Sequence, residues 1–315
     1  MTGFLRKMPP ACFLFLFAPF TAEYLSGSSP SFNPILFLIN LLLYGPGALT
    51  IRELKVKWHK GWLAVFIMSA AYVIAEEGLM LNTLFDPLKN TAGRSLGVNW
   101  VWTTGMLLVH SLVSIFLPIL LAEALYSERA KDQWIRPRTF FLLLTIFCAN
   151  VFGLGRLLVS ANRPGAVFCI LELVIIIACL LAAKHAPGPG PENAEFNPLR
   201  SPQWFYFASL IGTTITFLVG FAAPSLPMPA LAKMMLMAAV YLAFLGFLGR
   251  NHAFKPGLPP LAQLAIAGGI VSFWVLVAPV TMIGKGNPGP LIFALFAIAF
   301  LLSTRRYLMS LKSFP

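Results

Sequence analysis

Five of the eleven acidic residues in this 315-residue sequence lie inside apolar runs: Glu23, Glu76, Glu77, Glu123 and Glu172. A sixth ionisable group, His110, sits inside another such run. A charged side chain near a bilayer centre costs at least ~2.5 kcal/mol on insertion scales, so an acid kept there faces a bundle interior or a cavity and is a functional candidate by default. Carboxylates beside an imidazole can exchange protons, hold a cation or metal, or act as base toward water. Glu76 and Glu77 are adjacent, and two close carboxylates repel each other's charge, which favours a proton on one of them.

The elements that must position these residues follow from composition. Apolar residues make up 58% of the chain and charged residues only 11%, with mean hydropathy +0.80. No soluble domain of this size hides so much apolar surface. A soluble enzyme, a nucleic-acid binder, a disulfide scaffold and a disordered chain are therefore excluded. The fold class is all-α, a polytopic helical membrane bundle. Spanning a ~30 Å hydrocarbon core takes ~20 apolar residues. Ten segments meet or approach this: 9–25, 33–52, 62–84, 100–125, 139–160, 165–183, 204–223, 230–249, 261–282 and 289–304. The first follows Arg6 and Lys7 in the manner of a signal peptide, but no small-x-small cleavage site follows, so it counts as a retained helix.

The net charge of +12 is dispersed in short clusters between apolar runs, the pattern of membrane topology rather than of a phosphate-binding patch. With the N-terminus cytoplasmic, 17 of the 23 basic residues fall on the inner side and six on the outer: Lys89, Arg94, Arg156, Arg163, Lys233 and Lys285. The bias predicts ten spans with both termini in the cytoplasm. Trp58, Trp62, Trp100, Trp102 and Trp204 fall at the expected interfaces. The chain reads as one membrane domain, with helices 1–6 over about 9–183, a Pro/Gly-rich cytoplasmic linker over about 184–203, and helices 7–10 over about 204–304. Cys12, Cys148, Cys169 and Cys179 lie in apolar runs without a C-x-x-C pair and read as buried small hydrophobes.

At 1.5 Å per helical residue, Glu77 lies about 11 Å, His110 about 15 Å and Glu172 about 10 Å below the outer ends of their helices. With Glu76 they share one level in the outer half of the membrane. Glu23 and Arg156 lie nearer the outer surface, on a route in, and Arg156 is also a candidate partner for Glu172. Glu123, at an inner helix end, reads as a boundary charge near Arg129. Helical periodicity puts Tyr72, Glu76 and Thr83 on one face, and Thr103, His110 and Ser114 on another. Adjacent α-helical residues diverge by ~100°, so Glu76 and Glu77 are expected to take different partners.

The stretches Ala18–Pro30, Tyr44–Glu53, Ala75–Leu79 and Phe85–Pro87 resemble a family of uncharacterised prokaryotic multi-pass proteins over about the first 130 residues. Glu76-Glu77 followed one helix later by Met106-x-x-x-His110 is similar to the first two motifs of the CAAX-protease and bacteriocin-processing intramembrane proteases. That resemblance implies a hydrolase in which Glu77, with Glu76 and His110, activates water or holds a divalent metal. The chain departs from that pattern: Leu81 stands where the family has Arg, and no His-x-x-x-Asn/Asp follows in helices 5–10.

Two function classes follow. One is a small-molecule or ion carrier, proton-coupled through Glu76, Glu77 or Glu172 with His110, Thr103, Ser114, Glu23 and Arg156 around them. The other is an intramembrane hydrolase built on Glu76, Glu77 and His110. A scaffold subunit is a third reading. P-loop, Ser-His-Asp and dinucleotide-binding patterns are missing from the sequence. The partners expected are the lipid bilayer and a small molecule or ion, not nucleic acid.

Overall fold

A computed structural model describes residues 7–29, 32–87, 93–154, 157, 165–188, 202–221, 227–250 and 258–312. Among them, ten apolar helices run as α1 (Pro10–Leu25), α2 (Pro34–Lys57), α3 (Trp62–Met80), α4 (Trp100–Leu125), α5 (Pro137–Leu154), α6 (Ala166–His185), α7 (Pro202–Phe221), α8 (Ala230–Leu248), α9 (Pro260–Gly284) and α10 (Gly289–Ser310). Nine are long and apolar enough to cross a membrane, and α1 is shorter. The protein is a polytopic helical membrane bundle. Residues 189–201 of the linker and Arg156 fall outside the described residues.

Local chemistry sets the helix ends. Asn33 caps α2, its side-chain oxygen accepting from the backbone N–H of Ile35 (2.9 Å) and Leu36 (3.1 Å), and Pro34 occupies the first helical position. Leu96 and Gly97 both take positive φ in the turn between β1 (Arg94–Ser95) and β2 (Val98–Asn99), as a tight hairpin turn requires. Arg94 braces this ribbon, donating to the Phe85 carbonyl (3.0 Å) and Asn99 Oδ1 (2.7 Å). The ribbon marks one end of the bundle, and the α2–α3 connection with Arg52 marks the other.

The helices divide into a centre and a rim. Within their apolar windows, α3 is 83% and α4 78% buried, whereas α6 is 11% and α5 17% buried. α4 packs against α1, α2, α3, α7, α8 and α9. Polar groups on α3 and α4 are therefore enclosed by protein rather than lipid.

Four helices are not regular throughout. Wider π-helical turns occupy Phe20–Leu25 in α1, Ile74–Met80 in α3, Met106–Phe116 in α4 and Asn150–Leu154 in α5. Such turns cluster at functional sites in proteins generally, because they re-aim side chains and loosen the backbone ladder.

Candidate functional site

Glu23, Glu76, Glu77, His110 and Ser114 all stand in these π turns. His110 Nε2 lies 2.8 Å from Glu76 Oε2 and 3.9 Å from Glu77 Oε1. The two glutamates take different hydrogen-bond partners, as expected, Glu76 bonding His110 and Tyr44 and Glu77 bonding Thr83, while the Glu77 carboxylate still lies beside the same imidazole. Thr83, expected on the Glu76 face, instead donates to Glu77 Oε2, and its hydroxyl accepts from Trp102 Nε1 (3.2 Å). The Glu77–His110 convergence in the ribbon-side half of the bundle is as the depth arithmetic predicts.

Tyr44 is the residue the sequence did not single out. It is buried, and its phenol oxygen lies 2.6 Å from Glu23 Oε1 and 2.5 Å from Glu76 Oε1. Ser29 donates to the other oxygen of Glu23 (2.8 Å). A hydrogen-bonded chain therefore runs Ser29–Glu23–Tyr44–Glu76–His110, with Glu77 and Thr83 beside its inner end. The proton count along it is informative. A phenol carries one proton, and Tyr44 is the donor toward both carboxylates, so Glu23 and Glu76 share a single O–H between them.

His110 is built to take either protonation state. Its Nδ1 lies 3.0 Å from Ser114 Oγ. A hydroxyl both donates and accepts. Neutral imidazole accepts from Ser114 through Nδ1 while Nε2–H donates to Glu76. Imidazolium donates through both nitrogens, and only the Ser114 hydroxyl turns.

His110 also lines a cavity of about 310 Å³. The other walls include Ser26, Ser28, Trp102, Phe217, Phe221, Trp274 and Thr281, drawn from α4, α7, α9 and the segment after α1. Trp102, Phe221 and Thr281 sit near the ends of their helices, and Trp274 lies in the middle of α9. Toward the opposite end, Phe66 and Phe116 stack with ring centroids 4.0 Å apart.

Other candidates fall elsewhere. Thr103 is two turns from His110, and its hydroxyl is buried without a hydrogen-bond partner among the described residues. Glu172 does not join the cluster: its carboxyl lies against Gly78, and neither oxygen is hydrogen-bonded among the described residues. Arg156, outside the described residues, cannot be placed as its partner. Glu123 is not a boundary charge near the Arg129 side chain. It is buried and paired with Arg52 (3.3 Å) and with Lys55. Arg52, itself fully buried, also bonds Glu53 (2.8 Å) and the carbonyls of Asp132 (2.5 Å), Ala130 (2.8 Å) and Arg129 (3.3 Å), and it stacks 3.7 Å from the Trp134 ring centroid.

Glu76, Glu77 and His110 also form a group that could hold a metal ion, one donor atom from each lying within 4.8 Å of the others. Two carboxylates and one imidazole suit zinc with an open position. As built, however, Glu76 and His110 bond each other directly, and Glu76 Oε1 is engaged by Tyr44.

The fold and the buried acids define a multi-pass membrane protein with a polar centre. The model of a family described as an uncharacterized membrane protein family matches residues 12–312, and the chain belongs to that family. No curated protein and no solved structure matches it.

Proposed function

We propose that this protein is a proton-coupled carrier of small molecules, set in a prokaryotic plasma membrane with both termini cytoplasmic. The observation that carries the reading is the hydrogen-bonded chain Glu23–Tyr44–Glu76–His110, whose members can relay a proton and whose last member lines a cavity. The orientation rests on the distribution of basic residues in the sequence. The ribbon end is then outside.

In this reading the substrate enters the aromatic and hydroxyl-lined cavity and meets His110. A substrate that hydrogen-bonds the imidazole changes where its proton is best held, and Glu76 and Tyr44 pass the difference to Glu23. The Phe66–Phe116 stack closes the path on the inner side. In this reading the cavity opens to the outer face, as one state of a carrier that alternates between two faces requires. π turns in α1, α3 and α4 supply soft points where helices can bend without losing a whole turn of hydrogen bonds.

The test uses purified protein in proteoliposomes with an entrapped pH-sensitive dye. A panel of amines, amino acids, alcohols and short carboxylates is applied as outward or inward gradients. At least one class should drive a pH change in wild type that is lost in Glu76→Gln and Glu77→Gln. Equal proton movement in wild type and both variants would overturn the reading.

The donor set of Glu76, Glu77 and His110 favours a second reading, an intramembrane hydrolase. A bound metal would supply a polarised water there, and Glu77 would be positioned to accept its proton. That reading requires the Glu76–His110 hydrogen bond to open. One zinc per chain, lost in His110→Ala, would favour it.

A further inference from the structure

Glu172 lies on α6, the most exposed of the candidate spans, flanked by Leu171 at 51% and Leu173 at 38% exposure. Its own side chain is only 5% exposed, because it turns inward against α3. It lands on Gly78, directly after Glu77. A methyl group added at Gly78 would collide with the carboxyl oxygen Oε1. The glycine thus creates the pocket that the carboxyl fills.

Among the described residues no cation or hydrogen-bond donor meets the acid in that pocket. Both oxygens are buried and neither has a hydrogen-bond partner among the described residues. The ionisable groups on the packed face of α3 are turned elsewhere: Glu76 and Glu77 face His110, and Tyr72 packs on Phe147 and Tyr44. From α5 the polar group nearby in sequence order, Asn150, donates to the carbonyls of Leu42 and Ile146. A hard metal cation needs several oxygen ligands and finds one carboxyl here. A proton needs one oxygen. An isolated ionised carboxylate in such surroundings is far more costly than the neutral acid.

We infer that Glu172 is a second proton-binding site of this protein, separate from the His110 cluster, held neutral in the Gly78 pocket and charged only when α6 moves away from α3. The site itself stands on the burial geometry. Its coupling to flux rests on the carrier reading.

The site has a direct spectroscopic signature. Infrared spectra of the protein in lipid nanodiscs at pH 7 should contain the C=O stretch of a neutral carboxyl that is lost in Glu172→Gln. A difference confined to carboxylate bands would overturn the proposal. Hydrophobic dicyclohexylcarbodiimide gives an independent readout on unmodified protein. The Glu172 oxygen adds to the central carbodiimide carbon as the carboxyl proton moves to a nitrogen, and the acyl group then shifts to nitrogen as a stable N-acylurea. Peptide mass analysis should find the adduct at Glu172, with yield falling as pH rises. An adduct yield that does not depend on pH, or labelling of the wild-type chain that spares Glu172, would overturn it. Neither readout requires transport, so failure of the carrier reading leaves this test intact. If both hold, the labelled chain should lose gradient-driven pH change in proteoliposomes.

Discussion

Two buried polar clusters share this bundle, and they are built in opposite ways. At one end Arg52 is saturated: Glu53 and Glu123 oppose its charge, three carbonyls accept its protons, and Trp134 covers its face. Its ligands stand in regular α-helix and in the loop after α4. In the middle, Glu23, Glu76, Glu77 and His110 stand in π turns. Acids outnumber bases there, several groups can both donate and accept, and a cavity adjoins. The first arrangement has one proton configuration. The second has several of similar hydrogen-bond count. A saturated ion cluster pins helices together, whereas an under-determined one can respond to a ligand or to pH.

Substitutions sharpen that contrast. Arg52→Ala should be the most damaging to stability, by about 3–5 kcal/mol, because it leaves buried carboxylates unpaired. Thermal unfolding in detergent measures it. Glu76→Gln keeps shape and most hydrogen bonds, so its stability loss should stay near ~1 kcal/mol while proton-linked function disappears. The reverse order for the two variants would dissolve the distinction between the clusters.

Tyr44→Phe should cost about 1–3 kcal/mol, since it removes the hydroxyl between two buried carboxyls. It should also move the pH profile of any ligand response, which purely structural packing would not. Ser114→Ala should be the mildest, about 0.5–1.5 kcal/mol. Its effect on ligand response should appear mainly on the acid side, where imidazolium Nδ1–H needs an acceptor. Titrations of ligand binding at stepped pH separate these outcomes.

Much of the candidate site was legible in the sequence because the membrane makes ionisable residues conspicuous. Glu76, Glu77 and His110 stood out against apolar runs, and rise per residue put them at one depth. Tyr44 did not stand out, since an aromatic residue in an apolar helix reads equally well as packing. The adjacent Gly45-Pro46-Gly47 lies inside a continuous α2. Gly47 in fact makes room for the Tyr72 ring. The π turns were invisible, as no residue pattern distinguishes them from α-helix. Glu172 shared the depth but not the direction, because depth is a one-dimensional coordinate. Glu123 looked peripheral from its place near a helix end, yet Arg52 and Lys55 reach it from α2. The helix count survived best, resting on length and hydropathy alone.

The contrast between the clusters has a reporter in each. Trp102 lines the cavity and donates to Thr83, which bonds Glu77. Trp134 lies under Arg52 and donates to the Arg129 carbonyl (2.8 Å). Fluorine NMR of 5-fluorotryptophan-labelled protein in nanodiscs, assigned by Trp102→Phe and Trp134→Phe, reads both during one pH titration. The account predicts that the Trp102 resonance titrates, that Glu77→Gln removes the step, and that Trp134 stays fixed over the same range. A Trp102 resonance that does not move, or one that titrates unchanged in Glu77→Gln and Glu76→Gln, would contradict it.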